Sequence, residues 1–491
     1  MENKKALVIG GGIAGLCTGV YLRRAGFDTE ILEMNTLAGG LATAWSRKGY
    51  TFENCVHWFV GSKPGADLNA TWKEVFDIDR VLFHQGDVFE VLERNGGRLT
   101  IYKNVDRLER ELLTKAPEDS AAIREFTGLI RKFSRFHMSG GDSFSARLGL
   151  MARMIPFLPT LIRYSKLTMG AFGRKFKQPL LREFFTAGLN EMSFLAIAFS
   201  LAWMTNENAG YPIGGSPKII GLIEERYASL GGKIRFGTRV EKIIVENGRA
   251  AGVVLAGGER LSADVVVSAA DGHAAIFEML EGKYVSRKIG KTYETFKRFP
   301  SYIQVSLGVA ADLKDEPPYL YASTFRTIEL DPETRSDSLA VRVFNFDPTF
   351  APAGKTALIV FFATANDAYW RELRENDRDR YEAEKNRIAE EVIAAVEVRF
   401  PAARDRVEVV DVATPATVVR YTGNWHGSME GWLMTPASGI KQLPSVLPGL
   451  RNFYMVGQWI SPGGGLPSGL LTGRNVTRRI CKDFGLPWKA N

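Results

Sequence analysis

Apolar positions along the chain change their period several times, and each change marks an element. Lys5-Ala-Leu-Val-Ile9 is a short, nearly unbroken apolar run and predicts a buried strand. Residues 13–25 carry apolar side chains at helical spacing, with Arg23 and Arg24 in the last turn and Gly26 as the stop. A second strand is expected at 29–33. Between 70 and 140 short strands alternate with amphipathic helices, one of them at 120–137. Later come a helix at 217–228, closed by Gly231-Gly232, and a strand at 233–236. Two alternating runs, 240–246 and 250–255, flank Asn247-Gly248, a strong hairpin signal, and a further strand is expected at 263–270. Strands are also expected at 303–309, 339–344 and 356–363. A highly charged helix at 371–400 reads as having a solvated face. The chain closes with a buried strand at 452–457, a glycine-rich loop and a helix at 470–484.

The turn after the first strand carries Gly10-x-Gly12-x-x-Gly15, the spacing of a dinucleotide-binding turn. Gly10 permits the tight turn, Gly12 lets a pyrophosphate approach bare backbone, and Gly15 lets the helix pack close to the sheet. The pyrophosphate would then meet free N–H groups at the helix start, around Ile13 and Ala14. Glu33 closes the second strand 18 residues after Gly15, where an acidic residue accepts hydrogen bonds from an adenosine ribose; the bland alternative is a solvated strand-end carboxylate. No arginine follows it closely, so no 2′-phosphate is expected. The pair Gly39-Gly40, with Leu41 and Ala42, resembles the element of flavoprotein oxidases that returns under the pyrophosphate of FAD. The order of helix, strand, meander and strand at 217–270 is similar to a glutathione-reductase-type FAD domain, in which the position of Val240 meets the adenine through its backbone.

Composition narrows the class further. The chain has 491 residues, 45% hydrophobic and 24% charged, and two or three domains are expected. Cys17, Cys55 and Cys481 share no metal or redox spacing, which points to a reducing compartment, and the five histidines form no ligand cluster. The longest uncharged apolar run, 192–204, is shorter than the roughly 18–20 residues of a membrane span. The net charge of +8 accompanies no nucleic-acid motif, so no nucleic-acid partner is expected. Part of the excess sits in residues 144–182, which hold Arg147, Arg153, Arg163, Lys166, Arg174, Lys175, Lys177 and Arg182 and no acid, with Pro156 and Pro159 breaking the run. Apolar positions with basic flanks suit docking on an anionic bilayer; the alternative is a helical cap whose apolar face is core. The expected placement is cytoplasmic and peripherally membrane-associated.

Several stretches together, namely Gly10-Gly-Gly-Ile-Ala-Gly-Leu16, Glu33, Gly39-Gly-Leu-Ala-Thr43, Asp411-Val-Ala-Thr-Pro-Ala416, Tyr421-Thr-Gly-Asn-Trp425 with Gly431, and Gly457 through Pro462-Gly-Gly-Gly-Leu-Pro467, resemble the phytoene desaturase-like flavoproteins. That family includes carotenoid desaturases, carotenoid isomerases and retinol saturases. The resemblance touches the two ends of the chain and leaves most of the middle uncovered. It implies a non-covalent FAD, hydride transfer to or from a long apolar polyene or isoprenoid, and a substrate domain that meets the membrane. The fold it implies is α/β: a Rossmann FAD-binding domain of the glutathione-reductase type, discontinuous over 1–75, 210–287 and 425–491. An inserted α+β substrate domain would span 76–209 and 288–424, with a basic helical cap at about 144–204.

The residues expected to hold FAD are Gly10, Gly12, Ile13, Ala14, Gly15, Glu33, Met34, Gly39, Gly40, Leu41, Ala42, Val240, Gly457, Gln458, Gly465, Leu466 and Pro467, with no metal. His57, followed by an aromatic residue, is more similar to the retinol saturases, whereas Gly463-Gly-Gly-Leu-Pro467 sides with the desaturases, so desaturation, saturation and isomerisation all stay open, as does the electron partner. His57 is the candidate catalytic residue, able to give or take a proton near neutral pH, or else a structural histidine bonded to its loop. Phe144, Met151, Phe157, Met169, Phe172, Phe184, Phe185 and Phe194 are candidates to line an apolar tunnel, with most of them expected to be core. Other readings are an amine-oxidase or protoporphyrinogen-oxidase relative, disfavoured for amines by the basic cap, and a non-catalytic lipid-binding escort protein.

Overall fold

In the computed structural model, which describes residues 4–136, 144–439 and 441–490, the first apolar run forms β1 (Lys5–Ile9) and the helical run forms α1 (Ile13–Arg24). They are followed by β2 (Asp28–Leu32), α2 (Gly215–Ser229), β3 (Lys233–Arg235), β4 (Val265–Ser268), β5 (Phe453–Met455) and α3 (Gly465–Asp483). The five strands pair in parallel in the order β3-β2-β1-β4-β5, so one sheet takes strands from three distant parts of the chain. A parallel sheet is covered on both faces, which is why these strands read as apolar runs instead of alternating. Ala6, Val8, Val265 and Val267 face the layer formed by the three helices. Leu7, Ile9 and Val266 face an antiparallel meander of Val240–Glu246, Arg249–Leu255 and Arg260–Ser262. In the meander's first turn Asn247 and Gly248 both hold positive φ, 49° and 71°, as a two-residue hairpin of the expected type requires.

A second, seven-stranded sheet runs in the order Val407–Ala413, Ser301–Val309, Thr356–Thr364, Thr334–Val343, Tyr319–Asp331, Val88–Arg94, Gly97–Tyr102. Its neighbours are antiparallel except where Tyr319–Asp331 meets Val88–Arg94. Ile388, Val392 and Val396 of the helix Arg378–Arg399 cover one face. Beyond the far edge lies a helical layer that includes Ser120–Ser134, Pro179–Thr186 and Phe194–Thr205, cored by Phe126, Phe172, Phe185 and Phe194.

Several boundaries differ from the sequence reading. The charged stretch is two helices, Asp367–Asn376 and Arg378–Arg399. Asp377 between them accepts a hydrogen bond from the Arg380 N–H at 3.1 Å, and this capping geometry overrides continuity. Helix α3 begins at Gly465, five residues before the expected start. First-turn N–H groups need no intrahelical partner, so Pro467 is tolerated inside it. The helix beginning at Ser120 is described to Ser134; His137 lies outside the described residues, as do the side chains of Phe144 and Arg147. Pro156 and Pro159 do interrupt the basic stretch, between the helices Phe144–Met154 and Leu158–Tyr164.

First and last helices touch through glycine. A Cβ on Gly469 would lie 2.6 Å from Ile13 Cγ2 and 3.2 Å from the Ala14 nitrogen, and one on Gly473 would lie 2.8 Å from Thr18 Oγ1. Gly469→Val is therefore expected to lower stability by about 1–3 kcal/mol, the range for overpacking a filled contact. Urea denaturation measures this, and an unchanged midpoint would mean that the helices can separate freely.

Candidate functional site

Gly10 leaves β1 at φ 96°, and its N–H donates to the Leu32 carbonyl at 2.8 Å. A Cβ on Gly15 would collide with the Gly10 carbonyl oxygen, so that glycine sets how closely α1 approaches the turn. No side chain caps α1, and no acid sits in its first turn, so the N–H groups around Ile13 and Ala14 are available to an anion at the positive end of the helix. Glu33 is buried at the end of β2. Its carboxylate accepts from the Gly11 N–H at 2.6 Å and the Asn35 N–H at 2.8 Å, which places it against the glycine turn. Gly39 donates to the Gly11 carbonyl at 2.9 Å, and Gly12 and Gly39 form a parallel bridge. The second glycine pair thus lies against the first.

A continuous cavity of about 1410 Å³ runs from this turn. Leu32, Glu33, Met34 and Val240 line one end. Gly10, Gly12, Ile13 and Ala14 follow, opposite Gly39, Gly40, Leu41 and Ala42. Next come Asn54 to Trp58 on one side, with Gly457, Gln458, Gly465, Leu466 and Pro467 on the other. Every expected cofactor residue lines this cavity except Gly15. Gly15 is packed behind Gly10, where its work is the close approach of α1 and not contact with a ligand. A cavity this size exceeds the few hundred to about 1,000 Å³ of a drug-sized site. Bare glycine backbone, free helix N–H groups and a buried acid at the ribose position fit FAD, with room left over. FAD bound here supplies two-electron redox chemistry at its flavin ring.

Glu53 is 1% exposed, and its carboxylate organises the loop at the cavity's middle. It accepts from the backbone N–H groups of Cys55 at 2.9 Å, Asn54 at 3.1 Å and Val56 at 3.2 Å, and from the Ser216 N–H at 2.7 Å and hydroxyl at 2.6 Å at the start of α2. The Asn54 amide donates to the Leu41 carbonyl at 2.9 Å. His57 follows in this loop. Its ring faces the cavity and lies 5.9 Å from that of Tyr319, whose hydroxyl donates to the His57 carbonyl at 3.2 Å. Buried Arg342 donates to the Val56 carbonyl at 2.7 Å. Enclosure within the protein, and then the Arg342 charge, hold the His57 pKa well below 6.5. The ring is open to the cavity, and the direction of this shift favours the neutral imidazole.

Sequence reasoning missed other cavity groups. Asp271, three residues past the end of β4, accepts from Trp425 N–H at 2.8 Å and Ala274 N–H at 2.9 Å, and burial still pushes its pKa up to about 7. Its position at the carboxyl end of a parallel strand was a signal, because ligands of such sheets bind there. Burial likewise keeps the Cys55 thiol protonated and pushes Glu430 up to about 8. Glu430 comes from an irregular loop with no readable pattern. Of the tunnel candidates, Met151, Phe157, Met169, Phe172, Phe184, Phe185 and Phe194 do not line the cavity, and most are core, as the sequence reading expects. Phe172, Phe185 and Phe194 pack on one another as core, while Met151 faces outward. The apolar wall is instead made by Trp58, Phe89, Leu150, Met154, Leu161, Ile197, Phe199 and Trp203.

A parallel sheet with this glycine turn, and a cavity that continues past it, define an FAD-dependent oxidoreductase. The family described as flavin containing amine oxidoreductase matches residues 13–481, and the chain belongs to it, in its phytoene desaturase-like branch. Prolycopene isomerase of Daucus carota is 24% identical over 511 aligned residues, covering 99% of this chain and 81% of the relative. Phytoene desaturase (lycopene-forming) of a Paracoccus species is 24% identical over 503, covering 97% of each. Among solved structures, an oxidoreductase from Methanosarcina mazei is similar with a TM-score of 0.58 and 20% identity, over 96% of this chain and 100% of that one. Cyclohexylamine oxidase from Brevibacterium oxydans gives 0.60 and 14%, over 98% and 100%. Both likenesses are of fold.

Replacing Arg342 by Met is expected to raise the His57 pKa toward 6.5 without reaching it, because the repelling charge is lost and burial remains. Histidine ring signals followed by NMR against pH, with His57→Ala for assignment, measure the shift. An unmoved titration would mean that burial alone sets it.

Proposed function

We propose that this protein transfers hydride between FAD and a long apolar polyene or isoprenoid. The observation that carries this reading is the single cavity, whose one half has the glycine turn and Glu33 and whose other half is walled by Trp58, Phe89, Ile197, Phe199 and Trp203. In this reading residues 1–75, 210–287 and 425–491 form the FAD-binding unit, and the remainder forms the substrate-binding unit. The free N–H groups at the start of α1 receive the pyrophosphate, Glu33 the ribose and Val240 the adenine edge, while Gly457, Gln458, Gly465, Leu466 and Pro467 lie along the flavin. The apolar walls exclude water from the reacting carbons. His57, neutral and stacked on Tyr319, shapes the wall where the two halves meet.

We further infer that the substrate enters from a membrane surface. Leu150, Met154 and Leu161 line the cavity, and they belong to the helices Phe144–Met154 and Leu158–Tyr164. The same stretch exposes Leu148, Met151, Ile155, Leu158 and Ile162, with Met151 at 66% and Ile162 at 72%. Exposed Lys166 and Arg174 flank it. Among the described residues no helix is long and apolar enough to cross a membrane, so the inferred contact is peripheral.

Anaerobic mixing of the yellow holoenzyme with polyenes in liposomes tests the reaction. The flavin spectrum is expected to respond to polyenes and not to primary amines; reduction by an amine with no response to any polyene would overturn the reading. His57→Ala is expected to slow turnover while flavin content stays unchanged, and loss of bound flavin would make its role structural. For the surface, Met151→Asp with Ile162→Asp should lower co-sedimentation with anionic vesicles and leave flavin content intact. Unchanged sedimentation would overturn the docking inference.

A further inference from the structure

We propose that Glu430 is a catalytic acid–base residue whose carboxyl exchanges a proton with the conjugated chain of the substrate. This rests on the polyene reading above. Glu430 lines the cavity together with Cys55, His57 and the loop before α3. No hydrogen bond or ion pair to a described residue holds its carboxyl, and burial is what shifts its ionisation. The residue is partly exposed, at the cavity wall, so its carboxyl is open to a ligand there. Here the surrounding chain makes room for it: a Cβ on Gly464 would collide with the Glu430 side chain and its carbonyl, and one on Gly465 would lie 3.1 Å from Oε1. The glycine loop therefore seats a bare carboxyl beside the apolar chamber.

Such a carboxyl stays neutral up to about pH 8 and is an acid at neutral pH. Among the other titratable groups of the cavity, Asp271 is raised only to about 7 and is tied to the Trp425 and Ala274 N–H groups. Cys55 is held protonated by burial, and His57 is held neutral by burial and Arg342. In the proposed step the Glu430 proton passes to one carbon of a double bond, and the π electron pair forms the new C–H bond. The positive charge spreads over the remaining conjugated bonds. The carboxylate then takes back a proton from the same carbon and the double bond reforms. No electron is gained or lost and no co-reactant is consumed, while the bonds of the cation rotate more freely than those of the polyene.

The test uses FAD-loaded enzyme and prolycopene in phosphatidylcholine liposomes in D2O, with isomers separated by chromatography and deuterium read by mass spectrometry. Wild type should place deuterium in the polyene, at a rate that falls as pH rises through about 8. Glu430→Gln should lower that rate by about 100-fold or more, with flavin content and the prolycopene-induced flavin shift unchanged, and Glu430→Asp should retain part of it. Equal incorporation in wild type and Glu430→Gln would overturn the role of Glu430. A flavin shift without incorporation in wild type would do the same and leave the substrate reading standing. Neither a shift nor incorporation with any polyene would overturn the substrate reading itself.

Discussion

The close packing of α1 against α3 is the contact on which the site depends. Gly469 and Gly473 bring the last helix to within backbone distance of the first, at Ile13, Ala14 and Thr18. A Cβ on Gly457 would lie only 3.3 Å from that of Ala14, and the Gly457 N–H donates to Thr472 of the same helix at 2.9 Å. The loop before α3 is thereby laid over the dinucleotide turn, and the two ends of the chain close one cavity. Strand β5 supports the same geometry from the sheet, pairing with β4 over Val266 to Ser268. A side chain at either glycine of α3 would push the loop away from the turn, so the cavity's shape is set by backbone proximity far along the chain from the motif that begins it.

Two buried acids and a third partly exposed to the cavity show how environment divides one functional group among different tasks. Glu53 is surrounded by backbone and hydroxyl donors from two segments and acts as a fastener between its loop and α2. Asp271 receives backbone N–H groups, among them those of Trp425 and Ala274, and burial outweighs them to push its pKa up to about 7. Glu430 receives none and titrates higher, near 8. Donors offered to a charged carboxylate offset its desolvation, and Asp271 has them where Glu430 does not. Glu53 and Glu430 are the same residue in the same protein; the difference is whether the chain around them presents N–H groups or bare glycine Cα atoms.

Those differences also mark what can be read from a sequence. The parallel sheet, the glycine turn, Glu33, the Asn247-Gly248 hairpin and the return of the chain at Gly457 were legible because each rests on local spacing or on a periodic apolar run. Glu33 was legible because the strand that carries it has a fixed register to the turn. The tunnel wall was not. Phe172, Phe185 and Phe194 are aromatic residues in helices, and nothing local distinguishes one that faces a core from one that faces a chamber; the helix Phe194–Thr205 is apolar all round and supplies both. Glu430 was invisible for a different reason, since its surroundings come from a loop over thirty residues later. The single charged helix expected at 371–400 failed because one capping aspartate, Asp377, outweighs the helical propensity on either side.

The neutral state of His57 has a physical cost and a consequence. An imidazolium facing the cavity beside Arg342 would meet both partial desolvation and like-charge repulsion, which favours the neutral ring. Arg342 in turn is held by its bond to the Val56 carbonyl and by the rings of Tyr319 and Phe344, 5.0 and 4.7 Å away. A fixed cation thus stands just behind the loop and keeps protons off the histidine that faces the chamber. The carboxyls across the cavity have no such neighbour, and burial pushes them the other way, toward holding a proton. Desolvation thus empties one titratable group and fills another, which leaves the protonated carboxyl beside the glycine loop as the proton donor.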